Sequence, residues 1–157
     1  MMNNSKRPIS FWFVILFLAL SMVLFIMGQT MAILNYEFAV SIGLQEDVKE
    51  VGELGKQINR AFGASDTIIY IPLIALSIVG LFLKKSWALI TTAAVMGISA
   101  YWATTVAFLL WFLIGVPTYH FIPGPEYWVF ISAYIVFGIW GLFYLIFRGD
   151  QLISTES

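Results

Sequence analysis

The sequence predicts an all-α integral membrane protein: a four-helix bundle with an additional amphipathic helix in its outer loop. Four long apolar runs are separated by loops, and 61% of the residues are hydrophobic whereas only 11% are charged. A small soluble domain has too much surface to hide such an excess, but a bilayer accepts it, because one helical crossing needs about 20 apolar residues. The runs cover residues 11–34, 67–83, 87–116 and 127–147.

These spans and their loops use nearly all of the chain, so we expect residues 1–157 to form a single transmembrane domain. The apolar run that follows Lys6 and Arg7 is longer than the about 7–15 residues of a signal-peptide core, so we expect the first helix to be retained.

Composition excludes several classes of function. The net charge of −1 gives no electrostatic basis for binding nucleic acid. The absence of cysteine excludes disulfides, thiol redox relays and CxxC metal sites. The single histidine excludes a bis-histidine haem within one chain.

Charge assigns the topology. Three basic clusters lie at one set of span ends, at Lys6-Arg7, Lys84-Lys85 and Arg148, and the other two loops are predominantly acidic. Because basic residues near span ends stay on the cytoplasmic side, both termini are predicted to be cytoplasmic, with residues 35–66 and 117–126 outside. We expect a multi-pass protein of a prokaryotic cell membrane.

The loop 35–66 carries the predicted amphipathic helix, over about residues 46–62. Its apolar residues fall on one side of a helical wheel, namely Val48, Val51, Leu54, Ile58 and Phe62. The polar face is mixed and acidic rather than basic, which favours a helix packed across the outer mouth of its own bundle over one on anionic lipid. Asp66 would then be the N-cap of the second span, and Pro72 would kink that span.

Small residues mark the places where helices approach each other closely. Gly138 and Gly141 give the fourth helix a close-contact face. The third helix carries a stripe of small residues, made of Ala93, Gly97, Ala100 and Thr104.

The outer face holds the candidate site. A carboxylate, an imidazole and an arginine beside apolar walls can perform acid–base chemistry or hold the polar head of a lipid or quinone. The catalytic candidates are Glu37, Asp66, His120 and Glu126. The candidate ligand-binding residues are Gln29, Arg60, Tyr70, Trp102, Thr105 and Tyr119. The commoner interpretation is that acidic residues at span ends serve topology and capping.

No metal site is predicted, because His120 lacks partners at a metal-ligand spacing and no HExxH pattern is present. No cofactor is evident, although a quinone or a lipid fits the composition of the outer face. The expected partners are membrane lipids, with further copies of the chain or a larger membrane complex as open alternatives.

The layout resembles the DoxX-like group of small prokaryotic membrane proteins. The resemblance rests on four helices, on Ile42-Gly43-Leu44 within the outer segment, and on the basic turn Lys84-Lys85-Ser86-Trp87. It covers about the first 90 residues and carries over no catalytic residue. It implies an association with membrane redox systems.

Three functional hypotheses follow. The first is a non-enzymatic accessory or lipid- and isoprenoid-binding protein that acts through its outer face and its helix seams. The second is a membrane enzyme or quinone-linked redox subunit that uses the outer-face acid–base residues. The third is a small dimeric transporter, which ranks last because none of the four apolar runs contains an ionisable residue.

Overall fold

The computed structural model describes residues 7–154, of which most are helical and none lies in a strand. Four helices are long and apolar enough to span a membrane, within Ile9–Leu34, Val48–Phe82, Trp87–Leu113 and Pro125–Arg148. The all-α prediction is confirmed, and the chain is a multi-pass membrane protein. Lys6, on which the topology prediction partly rests, lies outside the described residues.

The first span changes its helical winding near one end. Helix α1 (Ile9–Phe25) continues into a π-helical turn, Ile26–Thr30, and then into the short α2 (Met31–Leu34). Helix α3 (Tyr36–Ser41) follows at once, and the Asn35 side chain caps it by accepting a hydrogen bond from Phe38 N at 3.1 Å.

The second span is continuous with the helix of the outer loop. Helix α4 (Val48–Ser65) runs directly into a second π-helical turn, Asp66–Tyr70, and then into α5 (Ile71–Phe82). The interpretation of Asp66 as an N-cap is therefore wrong, since Asp66 has helical dihedral angles and its N–H bonds to Phe62 O and Gly63 O. No proline occurs between Val48 and Ile71, so the helix continues past Asp66.

Two further long helices complete the bundle. Helix α6 (Trp87–Leu113) follows a tight turn in which Lys84 has a φ of 56°. Helix α7 (Pro125–Arg148) returns after the segment 114–124, and α8 (Asp150–Ile153) ends the described chain.

Glycine allows the closest helix contact in the bundle, between α6 and α7. A Cβ at Gly138 would lie 2.7 Å from both Met96 O and Ala100 N, and one at Gly141 would lie 2.6 Å from Met96 Sδ. The predicted close-contact face of the fourth helix is confirmed. A Cβ at Gly97, in contrast, would have no described neighbour within 4 Å, so only part of the predicted stripe on α6 packs tightly.

The two ends of the bundle differ in charge. At one end, Arg7 donates hydrogen bonds to Phe82 O and Leu152 O, both at 3.0 Å, and so joins α1, α5 and α8. Lys84, Lys85 and Arg148 lie at this basic end. The opposite end holds residues 35–47, α4 and the segment 114–124; we call it the cavity end.

The outward faces of the helices are apolar. Ile90 is 74% exposed, and Leu16, Val136 and Phe143 are also exposed. Such side chains would be costly in water but suit the hydrocarbon of a bilayer. The core lies between the helices, where Phe11, Leu18, Ile74, Met96 and Tyr134 are buried.

Candidate functional site

A cavity of about 400 Å³ opens at the cavity end. It lies between the first π turn, α4, the segment 114–119, and the facing parts of α6 and α7. Most of its wall is aliphatic or aromatic, as in Leu24, Ile58, Phe62, Val106 and Leu113. Its volume falls within the range of about 300–1,000 Å³ that is typical of small-molecule sites.

Helix α4 forms one wall of this cavity. Four of the five apolar residues predicted to share a face line it, namely Val51, Leu54, Ile58 and Phe62. Helix α4 packs against α2 and the first π turn, so it lies on the bundle. The loop 114–124 is fastened to it by a hydrogen bond from His120 N to Glu50 O at 2.7 Å.

A polar cluster at the cavity is centred on Glu46. One carboxylate oxygen, Oε2, accepts a hydrogen bond from Asn59 Nδ2 at 2.5 Å, and the other, Oε1, accepts one from Tyr127 OH at 2.8 Å. Tyr36 OH donates to Glu46 O at 3.0 Å and accepts from Asn59 Nδ2 at 3.1 Å. We call Tyr36, Glu46, Asn59 and Tyr127 the Glu46 cluster. It joins α3, α4 and α7 through the carboxylate and the backbone oxygen of one residue, Glu46.

Local sequence explains how Glu46 reaches this position. Gly43 has a φ of 72°, which suits glycine in the turn after α3, and it directs the chain back toward the bundle. The Asp47 side chain then caps α4 by accepting a hydrogen bond from Lys49 N at 2.9 Å. Glu46 therefore precedes the helix and is free to face Asn59 and Tyr127.

The phenols near the Glu46 cluster are held in their neutral form. Burial raises the pKa of Tyr119 to about 12, and the negative charges of Glu46 and Glu50 contribute to this rise. Burial also raises the pKa of Tyr36, although its hydrogen bond with Asn59 opposes this. At neutral pH both phenols are thus available as uncharged hydrogen-bonding groups.

The cavity has a one-sided charge. Its described lining contains the carboxylates of Glu46 and Glu126 but no lysine, arginine or histidine. Lys56 lies close by, with its ammonium 5.6 Å from the centre of the Tyr36 ring, but it is not part of the wall. A ligand with an anionic head would therefore be repelled by these two carboxylates, and no cationic side chain in the described lining would offset the repulsion.

Aromatic rings close the cavity toward the middle of the bundle. Trp102 packs against Phe25, with ring centroids 5.3 Å apart, and against Tyr134 at 6.1 Å. Its indole lines the cavity, and its buried Nε1 has no hydrogen-bond partner among the described residues. The neighbouring Tyr101 points away and is 74% exposed.

The structure brings together some of the predicted ligand-binding residues. Gln29, Trp102 and Tyr119 line the cavity. Arg60 does not: its guanidinium donates to Gln57 Oε1 at 3.2 Å. Tyr70 is buried behind the wall, where its hydroxyl is 2.7 Å from Ser99 Oγ, and Thr105 lines a surface groove on α6 instead.

The four predicted catalytic candidates lie in different places. Glu126 lines the cavity, but Glu37 and His120 are exposed outside its lining. Asp66 is buried between helices and does not line the cavity. The geometry therefore offers no constellation of these residues around one reacting atom.

Sequence reasoning missed the Glu46 cluster. The helical pattern places Glu46 on the polar face of the predicted amphipathic helix, whereas in the structure it precedes the helix. A usable signal is present, because Asp47 followed three residues later by Glu50 is typical of a helix N-terminus and excludes Glu46 from the helix. The contact of Tyr127 with Glu46, 81 positions away, has no local signal.

Comparisons of this chain with protein-family models, with curated proteins and with solved structures find no match. Within residues 7–154, no group of three or more histidine, cysteine, aspartate or glutamate side chains is arranged to hold a metal ion. The cavity and the Glu46 cluster are therefore the features from which a function can be inferred.

Proposed function

We propose that this protein binds a lipid-like amphiphile, with the apolar body in the cavity and the polar head at the Glu46 cluster. The observation that carries the proposal is an apolar cavity of about 400 Å³ with a hydrogen-bonded carboxylate in its wall. Small-molecule sites have this composition: mostly hydrophobic walls with a few placed polar groups.

The charge of the wall selects the head of the ligand. Since Glu46 and Glu126 line the cavity and no cationic side chain does among the described residues, a neutral or cationic head is favoured over a phosphate or carboxylate. An isoprenoid alcohol or an amine-bearing lipid has this chemistry. A hydroxyl or ammonium donates hydrogen bonds, which the Glu46 carboxylate can accept.

We place this protein in a prokaryotic cell membrane with both termini in the cytoplasm, so that the cavity opens on the outer face. Support comes from the basic end, where Arg7, Lys84, Lys85 and Arg148 gather. At the cavity end, Lys49, Lys56 and Arg60 are outnumbered by acidic residues.

A series of dodecyl amphiphiles tests the proposal. Delipidated protein would be titrated with dodecanol, dodecylamine and dodecanoate, and the melting temperature followed. A ligand that binds only the folded state stabilises it by an amount that grows with concentration above Kd. We expect the alcohol and the amine to raise the melting temperature and dodecanoate to leave it unchanged. Equal shifts for all three, or none, would contradict the proposal.

A matched pair of variants tests whether the polar head of the ligand binds at Glu46. Glu46→Gln removes the charge in the cavity wall, whereas Glu53→Gln makes the same change on the exposed side of α4, where Glu53 accepts a hydrogen bond only from Gln57 among the described residues. We expect Glu46→Gln to reduce the stabilisation by dodecylamine more than that by dodecanol. Glu53→Gln should respond as the wild type does.

A quinone is the second candidate ligand, and Trp102 favours it. A quinone ring would stack against aromatic neighbours. Its carbonyl oxygens would accept a hydrogen bond from a donor such as the indole Nε1, which has no partner among the described residues. A short-chain ubiquinone analogue in the same titration tests this. Stabilisation that is lost in Trp102→Phe but retained in Glu46→Gln would favour the quinone.

A further inference from the structure

The two π turns pack against each other and form a seam between the first and second spans. We call residues 26–30 and 66–70, together with Gly63 one turn before the second π turn, the π seam. Thr30 Oγ1 lies 3.0 Å from Thr67 Oγ1 across it, and a Cβ at Gly63 would overlap the backbone oxygen of Gln29. Residues in π-helical turns make up less than about 1% of residues in proteins. Where such turns occur, they are often at functional sites.

The seam contains two acceptor oxygens that lack donors. Gln29 Oε1 and Asp66 Oδ2 are buried, and neither has a hydrogen-bond partner among the described residues. Asp66 is only 5% exposed, although it belongs to a helix that can span the membrane. An ionised carboxylate buried without a partner is costly, whereas a protonated carboxyl is neutral and supplies a donor.

The titratable neighbours of Asp66 do not donate a hydrogen bond to its unpaired oxygen, because their hydroxyl groups donate elsewhere. Among the described residues, the titratable side chains near Asp66 are Tyr70, four positions along its own helix, and Tyr134 on α7. Tyr134 OH donates to Ser21 Oγ at 2.9 Å. Ser99 Oγ donates to Val95 O at 2.8 Å, so the hydrogen in its 2.7 Å contact with Tyr70 OH comes from the phenol. The facing residues of the first π turn, Gln29 and Thr30, do not titrate.

We propose that the carboxyl of Asp66 is a proton-binding site in the π seam and carries its proton in the packed arrangement of the two turns. This inference is independent of the proposed ligand. Gln29 lies about 20 residues beyond Ile9, or about 30 Å along the helix, which is about one hydrocarbon thickness. The seam thus lies near the membrane boundary at the cavity end, where a proton can exchange with water.

Infrared spectroscopy in nanodiscs tests this directly. The chain has three aspartates, so Asp47→Asn combined with Asp150→Asn leaves Asp66 as the only one. Asparagine caps helices as well as aspartate does, and Asp150 is exposed, so both changes preserve the fold. With aspartate labelled by ¹³C at the side-chain carboxyl, we expect a label-shifted C=O band of a protonated acid that disappears at high pH. A carboxylate band at every pH above about 4, the ordinary range of aspartate, would overturn the proposal.

Thermal stability gives a second readout. A carboxyl that keeps its proton in the folded state, but loses it near pH 4 when unfolded, makes stability fall as pH rises between the two. We expect this fall in the wild type and its loss in Asp66→Asn; Asp150→Asn, the control, should keep it. If Asp66→Asn does not fold, the infrared measurement still decides. A gain of stability with Na⁺ at high pH that needs Asp66, without the protonated band, would overturn the proton site in favour of a cation site.

Discussion

Two helix seams of this protein are both built on a glycine, yet they differ in what they bury. At the α6–α7 seam, Gly138 brings two helices together, and the buried groups around it are apolar or internally bonded. At the π seam, Gly63 brings two helices together beside Gln29 and Asp66, whose buried oxygens lack donors among the described residues.

The difference distinguishes a seam that only stabilises the bundle from a seam at which we propose a function. A close contact without spare polar groups stabilises the bundle, and in lipid it does so through packing rather than through the hydrophobic effect. A seam that keeps unpaired acceptors is less stable than its contacts would allow, and such groups concentrate at working sites. The π seam also borders the cavity through Gln29, so we place function on this side of the molecule.

Breaking the α6–α7 seam should have the largest effect on stability. Gly138→Ala forces a Cβ against the backbone of Met96 and Ala100, which cannot yield as a side chain can. Overpacking of this kind costs about 1–3 kcal/mol, and we expect the upper end. Thermal melting in detergent measures it. Gly97→Ala, on α6 with open space around it, is the control and should be neutral or slightly stabilising.

Breaking the π seam should cost less and should also change binding. Gly63→Ala overlaps the carbonyl of Gln29 and pushes the first span away from the second. We expect a loss of about 1–2 kcal/mol, because the π turns can shift to accommodate part of the change. Binding of dodecylamine should weaken as the cavity wall moves. Gly138→Ala should leave that binding intact, and the opposite ranking would contradict the comparison.

The hydrogen bond across the π seam makes a smaller contribution. Thr67→Val removes the contact between Thr67 Oγ1 and Thr30 Oγ1 with little change of shape. We expect a loss of about 0.5–1 kcal/mol in thermal melting, since hydrogen bonds between helices in membranes are modest. Thr91→Val removes only a bond to Ala88 O within α6, and it should cost less.

The topology can be tested with almost no effect on stability. The chain has no cysteine, so Ser41→Cys and Ser154→Cys each introduce a single exposed thiol, one at each end of the bundle. In intact cells, a membrane-impermeant maleimide should label Ser41→Cys but not Ser154→Cys. Labelling of Ser154→Cys alone would show the opposite orientation, with the cavity end in the cytoplasm.

The spans could be predicted from the sequence because their signal is local. About 20 consecutive apolar residues identify a crossing whatever lies beside it. The close contact made by the glycines of α7 could also be predicted, since residues three apart on one helix share a face. Both features depend on neighbours along the chain.

The candidate site was only partly predictable, because its contacts join distant parts of the chain. Gln29 and Trp102 could be chosen as polar or aromatic groups within the spans, and Tyr119 as one in the loop beyond them. All three line the cavity. The Glu46 cluster requires Asn59 and Tyr127 to approach one carboxylate, which a single sequence does not reveal. The π turns were missed because hydrophobic periodicity does not distinguish them from an α-helix over five residues.

Native mass spectrometry of three proteins extracted gently from their own membrane tests the central claim most directly. Ile58→Trp fills the cavity from α4, and Ile90→Trp makes the same change on an exposed, lipid-facing side chain of α6. We predict that the wild type and Ile90→Trp retain one amphiphile per chain, with a neutral or cationic head, and that Ile58→Trp lacks it while melting no earlier than the delipidated wild type. An amphiphile that stays bound to Ile58→Trp, or three bare chains, would contradict the assignment of the cavity as a ligand site.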